Sequence, residues 1–133
     1  MPGSFLDTNV LIYLATGDTA KADRAEALLA GGVTISVQVL NETANVLRRK
    51  AGLSWDEIHA FLETVRTLAV VQPLTIETHD QGLRISERYR LSLYDGMIVA
   101  AALLAGCDQL WSEDMQDGLV IEETLRIRNP FMR

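Results

Sequence analysis

Four short apolar runs, Ser4–Leu6, Val33–Ser36, Ala69–Val71 and Gln109–Trp111, are separated by segments of helical period, and this alternation limits what the chain can become. Parallel strands need a crossover connection that a tight turn cannot supply, and helix-length spacers supply it. The spacing therefore predicts an α/β fold in three layers, a central mostly parallel sheet flanked by helices. A further strand is read at Leu125–Arg128. Helices are predicted over Asn9–Ala15, Ala20–Leu29, Val37–Lys50, Trp55–Leu68, Ile76–Tyr89 and Tyr94–Ala105. Ser54 with Glu57 has the spacing of a capping box, and Ser92 with Asp95 a weaker version of it. Gly31-Gly32, Gly52, Pro73 and Gly106 supply the stops.

Length fits one domain, expected to span 1–133: 133 residues bury roughly two-thirds of the unfolded chain's surface, enough for a core without disulfides or a structural metal. The apolar fraction of 48% argues against disorder. A mean hydropathy of +0.11 is high for so short a chain and suggests that a partner covers some apolar surface. The longest apolar run, Met97–Ala105, is too short to cross a bilayer. No basic residue precedes Lys21, so the start lacks the charge of a secretory signal, and Cys107 has no partner for an internal disulfide. A cytoplasmic location is expected. The net charge of −6 gives no overall attraction to nucleic acid, so such a partner requires local bases or bound cations.

The informative acids stand against apolar sequence. Asp7 follows Ser4-Phe5-Leu6 and precedes Val10-Leu11-Ile12, at a strand end where open parallel sheets form ligand sites; it is equally placed to cap the helix. Glu42 falls three after Val39 and four before Val46, on or beside the stripe read from Val39, Val46 and Leu47. A carboxylate there needs a partner, a metal or a route to water. Asp95 opens the most apolar helix, where it also suits the helix dipole. Asp114 follows the strand Gln109–Trp111 on the same edge, and for Glu113 and Asp117 a turn role is the plainer reading. If these acids converge, like-charge repulsion prevents all of them from ionising unaided. Hard divalent cations such as Mg²⁺ and Mn²⁺ take oxygen ligands and resolve that conflict, with phosphoryl transfer as their typical chemistry.

Five ordered segments resemble a known family: Phe5-Leu6-Asp7-Thr8-Asn9-Val10-Leu11-Ile12-Tyr13; Glu42-Thr43-Ala44-Asn45-Val46-Leu47-Arg48; Leu93-Tyr94-Asp95-Gly96-Met97-Ile98-Val99-Ala100-Ala101-Ala102; Leu110-Trp111-Ser112-Glu113-Asp114-Met115; and Ile127-Arg128-Asn129-Pro130-Phe131. Together they look like a PIN-domain protein of the VapC toxin type. The resemblance implies a PIN fold, metal-dependent endoribonuclease activity and inhibition by a VapB-type antitoxin. It maps the family's acidic quartet onto Asp7, Glu42, Asp95 and Asp114, its Ser/Thr onto Ser112 and its Asn onto Asn9. Gly96 departs from the more usual Ala or Ser, which is expected to change packing rather than metal binding.

On this reading Asp7, Asp95 and Asp114 hold one or two Mg²⁺ or Mn²⁺ ions, Glu42 binds metal or orients water, and Asp117 is an auxiliary ligand. Cys107 is expected to be buried and inert, and His59 and His79 to be surface residues with no zinc spacing. Arg48 and Arg49, or Arg84 and Arg88, are candidates for RNA or antitoxin contact, against the plainer role of a solvated face or of salt bridges to neighbouring acids. A homodimer is expected, through Asn9–Leu29 and Trp55–Leu68, with Trp55 either an anchor or a core residue. Three enzyme alternatives compete with this one. A haloacid-dehalogenase-type phosphatase wants an acid where Asn9 stands; a response-regulator receiver wants a late lysine, yet only Lys21 and Lys50 occur; a PIN nuclease of RNA maturation would share the site. A non-catalytic PIN-like binding module would be favoured by loss of quartet acids, and all four are present.

Overall fold

In the computed structural model, which describes residues 3–132, the chain runs β1 (Ser4–Leu6), α1 (Thr8–Ala15), α2 (Thr19–Ala30), β2 (Val33–Ser36), α3 (Val37–Arg49), α4 (Trp55–Leu68), β3 (Ala69–Gln72), α5 (Ile76–Tyr89), α6 (Leu93–Leu104), β4 (Gln109–Trp111), β5 (Val120–Ile121) and β6 (Leu125–Arg128). The strands form one sheet in the order β3-β2-β1-β4-β6-β5, parallel throughout except for the β5–β6 pair. Phe5 and Leu6 point to opposite faces of β1, and both are fully buried. Both faces are therefore covered at the middle of the sheet, as a parallel sheet requires. At the far side the cover thins: along β6, buried Leu125 and Ile127 alternate with exposed Arg126 and Arg128. Among the described residues no helix is long and apolar enough to cross a membrane.

α6 is the central helix. Every residue from Gly96 to Ala102 is buried, the all-round apolar pattern of a helix enclosed by its neighbours. Ser92 caps it by accepting from Asp95 N–H, and α4 begins with the full capping box between Ser54 and Glu57. The inner row of α3 is Val39, Thr43 and Leu47 rather than the Val39, Val46 and Leu47 stripe; Val46 turns toward a cleft beside Glu42. Helix ends shift by at most one residue from the predicted ones, those of α4 and α5 by none, and β3 gains Gln72. Cys107 is buried, and burial pushes its thiol pKa up. His59 and His79 are exposed, and so is Trp55, which lies under Arg48 and is not a core residue.

β6 matches the strand read at Leu125–Arg128, whereas β5 and the turn that joins it to β6 have no counterpart in the sequence reading. That turn uses Glu122 and Glu123, both with positive φ (50° and 63°), and closes with Thr124 N–H on Ile121 C=O at 3.1 Å. Two consecutive left-handed residues match the turn that tight hairpins favour, normally written with Asn and Gly. Here α5 supplies external support: Tyr89 Oη accepts from Glu122 N–H at 2.9 Å, and Arg88 pairs with the Glu122 carboxylate at 3.3 Å.

Gly96 has a packing reason. A Cβ built there would lie 2.6 Å from Gly82 C=O and would collide with Ser86 Oγ; one built on Gly82 would lie 2.6 Å from Met97 Sδ. The two glycines let α5 and α6 approach backbone to side chain. Gly96→Ala should therefore cost on the order of 1–3 kcal/mol by overpacking, despite the better helix propensity of alanine. Urea unfolding checks this, and Ser86→Ala in the same chain should recover only part of the loss because the Gly82 carbonyl remains. A Gly96→Ala protein as stable as the parent would show that the close approach is not what fixes these helices.

Candidate active site

From β1 the chain builds outward through β2 and β3, then returns to β4 on the other side of β1. The strand order thus reverses between β1 and β4, and the crevice outside the carboxyl ends at such a reversal is where open α/β sheets hold ligands. Asp7 follows β1 and Ser112 follows β4. The register Leu6↔Trp111, continued by Asp7 N–H on Trp111 C=O at 3.0 Å, sets these two residues side by side.

The Asp7 side chain is almost wholly buried, with 3% of its surface exposed. Oδ1 accepts from Thr8 N–H at 2.7 Å and so caps α1; Oδ2 accepts from Ser112 Oγ at 2.7 Å and from Asn9 Nδ2 at 3.1 Å. One carboxylate thus both caps α1 and binds the residues on either side of the sheet reversal. Asn9 Oδ1 in turn accepts from Glu113 N–H at 3.0 Å, and Ser112 Oγ accepts from Met115 N–H at 3.2 Å. Asn9 and Ser112 thus hold both the acid and the loop after β4. Burial pushes the Asp7 carboxyl up to about 7, against the hydrogen bonds from Ser112 and Thr8, with Asp95 and Glu42 adding to the rise.

Three elements bring the other acids to Asp7. Glu42, half-buried on α3, accepts from Gln38 Nε2 at 2.9 Å and from Thr8 Oγ1 at 3.3 Å. Asp95, half-buried in the first turn of α6, is raised by burial first and then by Glu42, with Asp114 adding a smaller rise and the Ser92 hydrogen bond opposing. Asp114 is exposed on the loop after β4. Among the described residues the ion pairs are Lys21–Glu113 and Arg88–Glu122, and neither involves these four acids. Asp7, Glu42, Asp95 and Asp114 therefore form one repelling group with no basic counterion.

The loop carrying Asp114 is clamped from outside. Glu113 accepts from Tyr13 Oη at 2.6 Å and from Lys21 Nζ at 2.5 Å, while the Tyr13 ring meets the Phe131 ring edge-on at 5.1 Å. The sequence reading gave Glu113 a turn role and gave Tyr13 and Lys21 none. Only their meeting in space reveals the clamp. Asp117 is engaged elsewhere: its Oδ1 accepts from Asn129 N–H at 2.8 Å, which ties the loop to the exit of β6.

Among the expected basic contacts, Arg48 donates to Leu53 C=O at 3.1 Å and stacks on Trp55, and Arg88 is paired with Glu122. Arg49 and Arg84 are exposed. The bases at the strand-end edge are others, Arg24 and Arg128, whose guanidinium groups lie 5.4 and 5.8 Å from the centroid of the Trp111 ring. Composition alone cannot place them there, because Arg24 arrives from α2 and Arg128 from the end of β6.

Among the described residues no three Asp, Glu, His or Cys side chains close into a metal shell by themselves. The donor chemistry nonetheless suits a hard cation: the group is all oxygen, one member is buried, and its charges repel. Mg²⁺ is commonly held by one or two carboxylates, with waters and phosphate oxygens completing its shell.

The PIN domain family profile matches residues 4–116. A search of curated proteins returns no significant match. Solved structures that this chain resembles include a toxin–antitoxin complex from Klebsiella pneumoniae (18% identity, TM-score 0.73, covering 96% of this chain and 98% of that one). Another is the DNA-bound VapBC of Salmonella typhimurium (20%, 0.71, 98% and 99%). A third is VapC20 of Mycobacterium tuberculosis, described as a sarcin-ricin loop cleaving toxin (23%, 0.69, 84% and 89%). At these identities the likeness is one of fold, and the fold is the PIN fold.

Burial of Asp7 leads to a prediction that needs no relative. Its carboxyl titrates near 7 in the folded, metal-free protein against 3.8 for the ordinary group, so between those values the folded state holds the extra proton. Stability from this group is complete below about pH 4 and is lost as pH rises through 7. Each unit is about 1.4 kcal/mol, so a rise of about three units costs roughly 4 kcal/mol at pH 8; Asp7→Asn removes that cost but sets an amide N–H where a carboxylate oxygen accepted, leaving a net stabilisation of the metal-free protein on the order of 2 kcal/mol at pH 8 and little gain at pH 4. Thermal unfolding in EDTA at both pH values measures it. Equal or lower stability of the variant at pH 8 would refute the buried-charge account.

Proposed function

The chain belongs to the PIN domain family, and from that premise we propose that it is a VapC-type toxin, a Mg²⁺- or Mn²⁺-dependent endoribonuclease that hydrolyses RNA phosphodiester bonds. The observation that carries the reading is the mutual repulsion of Asp7, Glu42, Asp95 and Asp114 at the sheet reversal, with no basic side chain among the described residues paired to any of them. Asp7, Asp95 and Asp114 would hold one or two ions, with Glu42 as a further ligand or a group that orients water. The cation, when bound, supplies acidification of water and neutralisation of phosphate charge. This chain's own residues do the rest. Ser112 and Asn9 fix the Asp7 carboxylate, the Lys21–Glu113–Tyr13 clamp holds the Asp114 loop, and Gln38 and Thr8 orient Glu42. Because Asp117 already accepts from Asn129, its proposed contribution is auxiliary at most.

A VapB-type antitoxin is the proposed partner, a reading supported by the toxin–antitoxin complexes among the fold's neighbours. The proposal extends to one domain over 1–133, a cytoplasmic location and a homodimer. Exposed apolar side chains support a covered surface, although they concentrate around β3, at Leu68 at the end of α4, Val70, Leu74 and Ile76 at the start of α5, more than on α1 and α2. Sedimentation at tens of micromolar should show the dimer, and a monomer alone would count against it.

Cleavage of total cellular RNA by the purified protein, with new 5′ ends mapped, tests class, cofactor and substrate together. Activity should require Mg²⁺ or Mn²⁺, and undiminished cleavage in excess EDTA would defeat the reading. Asp95→Asn and Asp114→Asn should lose nearly all cleavage, while Asp117→Asn keeps measurable turnover. Ser112→Ala, which removes a group orienting a ligand, should cost about 10- to 100-fold. Were Asp117→Asn dead at saturating metal and Asp114→Asn active, the fourth acid would be misassigned.

A further inference from the structure

Beside the acids, between α3 and the first turn of α6, lies a cleft of about 550 Å³. That volume is within the range of small-ligand sites. Asn41, Asn45, Val46 and Tyr94 line it together with the acids Glu42 and Asp95, which form part of its wall. Tyr94 is 62% exposed although it adjoins Asp95. Asn41 and Asn45 stand one turn apart on the same row of α3, both exposed, and neither side chain makes a hydrogen bond among the described residues.

We infer that this cleft is a nucleobase subsite, in which the Tyr94 ring stacks on the base next to the scissile phosphate and the Asn41 and Asn45 carboxamides read that base's edge. The inference rests on the nuclease reading in one respect: a phosphate placed at Glu42 and Asp95 carries its base within one sugar of them, and this cleft is the space there. An exposed aromatic ring is the usual platform for an unpaired base. A carboxamide offers one acceptor and two donors, which suits the mixed edges of bases. A cationic peptide group would instead gain most from the carboxylates, leaving the ring and both amides unused. Arg49, four residues beyond Asn45 on the same row, is exposed and placed for a neighbouring phosphate.

The test uses a short single-stranded oligoribonucleotide carrying 2-aminopurine, whose fluorescence falls on stacking, with Ca²⁺ in place of the catalytic ion. The parent protein should quench the probe; Tyr94→Ala should weaken binding on the order of tenfold, and Tyr94→Phe should match the parent. An abasic nucleotide at the stacked position should weaken the parent by a similar factor and Tyr94→Ala hardly further, the signature of a shared contact. Asn41→Ala or Asn45→Ala should change which base is preferred there. If the parent binds and quenches the probe yet cuts no RNA with Mg²⁺ or Mn²⁺, the nuclease reading fails and the subsite stands. If Tyr94→Ala binds like the parent, or its loss and the abasic loss simply add, the subsite is overturned whatever the nuclease assay gives. Loss of antitoxin binding alone in Tyr94→Ala would overturn it too, assigning the cleft to a protein partner.

Discussion

The carboxylate of Asp7 is buried at the end of a central strand, and much of the molecule is arranged around that cost. An isolated buried charge is unstable, so every accessible lone pair must be met or the proton kept. Thr8 N–H, Asn9 and Ser112 meet them, and in doing so tie β1 to the start of α1 and to the loop after β4. Ser112 Oγ and the Asn9 carboxamide then hold the backbone at Met115 and Glu113. A binding group and a structural junction are thus one object. Fixing the acid fixes the crevice at the sheet reversal.

Asp95 and Asp114 reach the same place by different means. Asp95 is carried by a helix enclosed on all sides, whose seating depends on glycine at 82 and 96, so its position follows from core packing. Asp114 lies on an exposed loop and has no core to rely on. Its position follows from the ionic and aromatic clamp of Lys21, Glu113, Tyr13 and Phe131. Exposed ion pairs contribute little alone, but this one is joined to a tyrosine hydroxyl and lies over two aromatic faces, 4.7 and 5.2 Å from their centroids. The two acids thus differ in what seats them, one a packed helix and the other a clamped, exposed loop.

The alternation of short apolar runs with helix-length segments made the parallel sheet legible, because that pattern has few other physical uses. Asp7 and Asp95 stood out for the same reason, being charges in apolar surroundings. What stayed hidden depended on contacts between distant residues. The Glu122–Glu123 turn carries no glycine or asparagine and is supported from α5, so no local signal announces β5. A salt bridge is among the readings of Arg88, but its partner, Glu122 of that same turn, lies 34 residues away and has no signal in the local sequence. Thr43 replaces Val46 in the inner row of α3, which packs against α1, α4 and α6, so that its facing is not set by hydrophobicity alone. Gly82 gave no hint of its role because its partner, Gly96, lies on another helix.

The charge balance bears on how a chain like this would hold RNA. At a net charge of −6, with four of its acids gathered at the site, the long-range field opposes a polyanion. The bases at the strand-end edge are few, and Arg24 and Arg128 already sit against Trp111. Counterion release from so few phosphate contacts yields a shallow salt dependence and modest affinity. Binding energy must then come from terms that ignore net charge, namely a cation bridging carboxylate to phosphate and a base stacked on an aromatic ring. Both terms act within one nucleotide of the scissile bond. Selectivity in such a protein would reside in the few bases beside the cut and in how far they can unstack, with little contribution from the electrostatic reach of the whole surface.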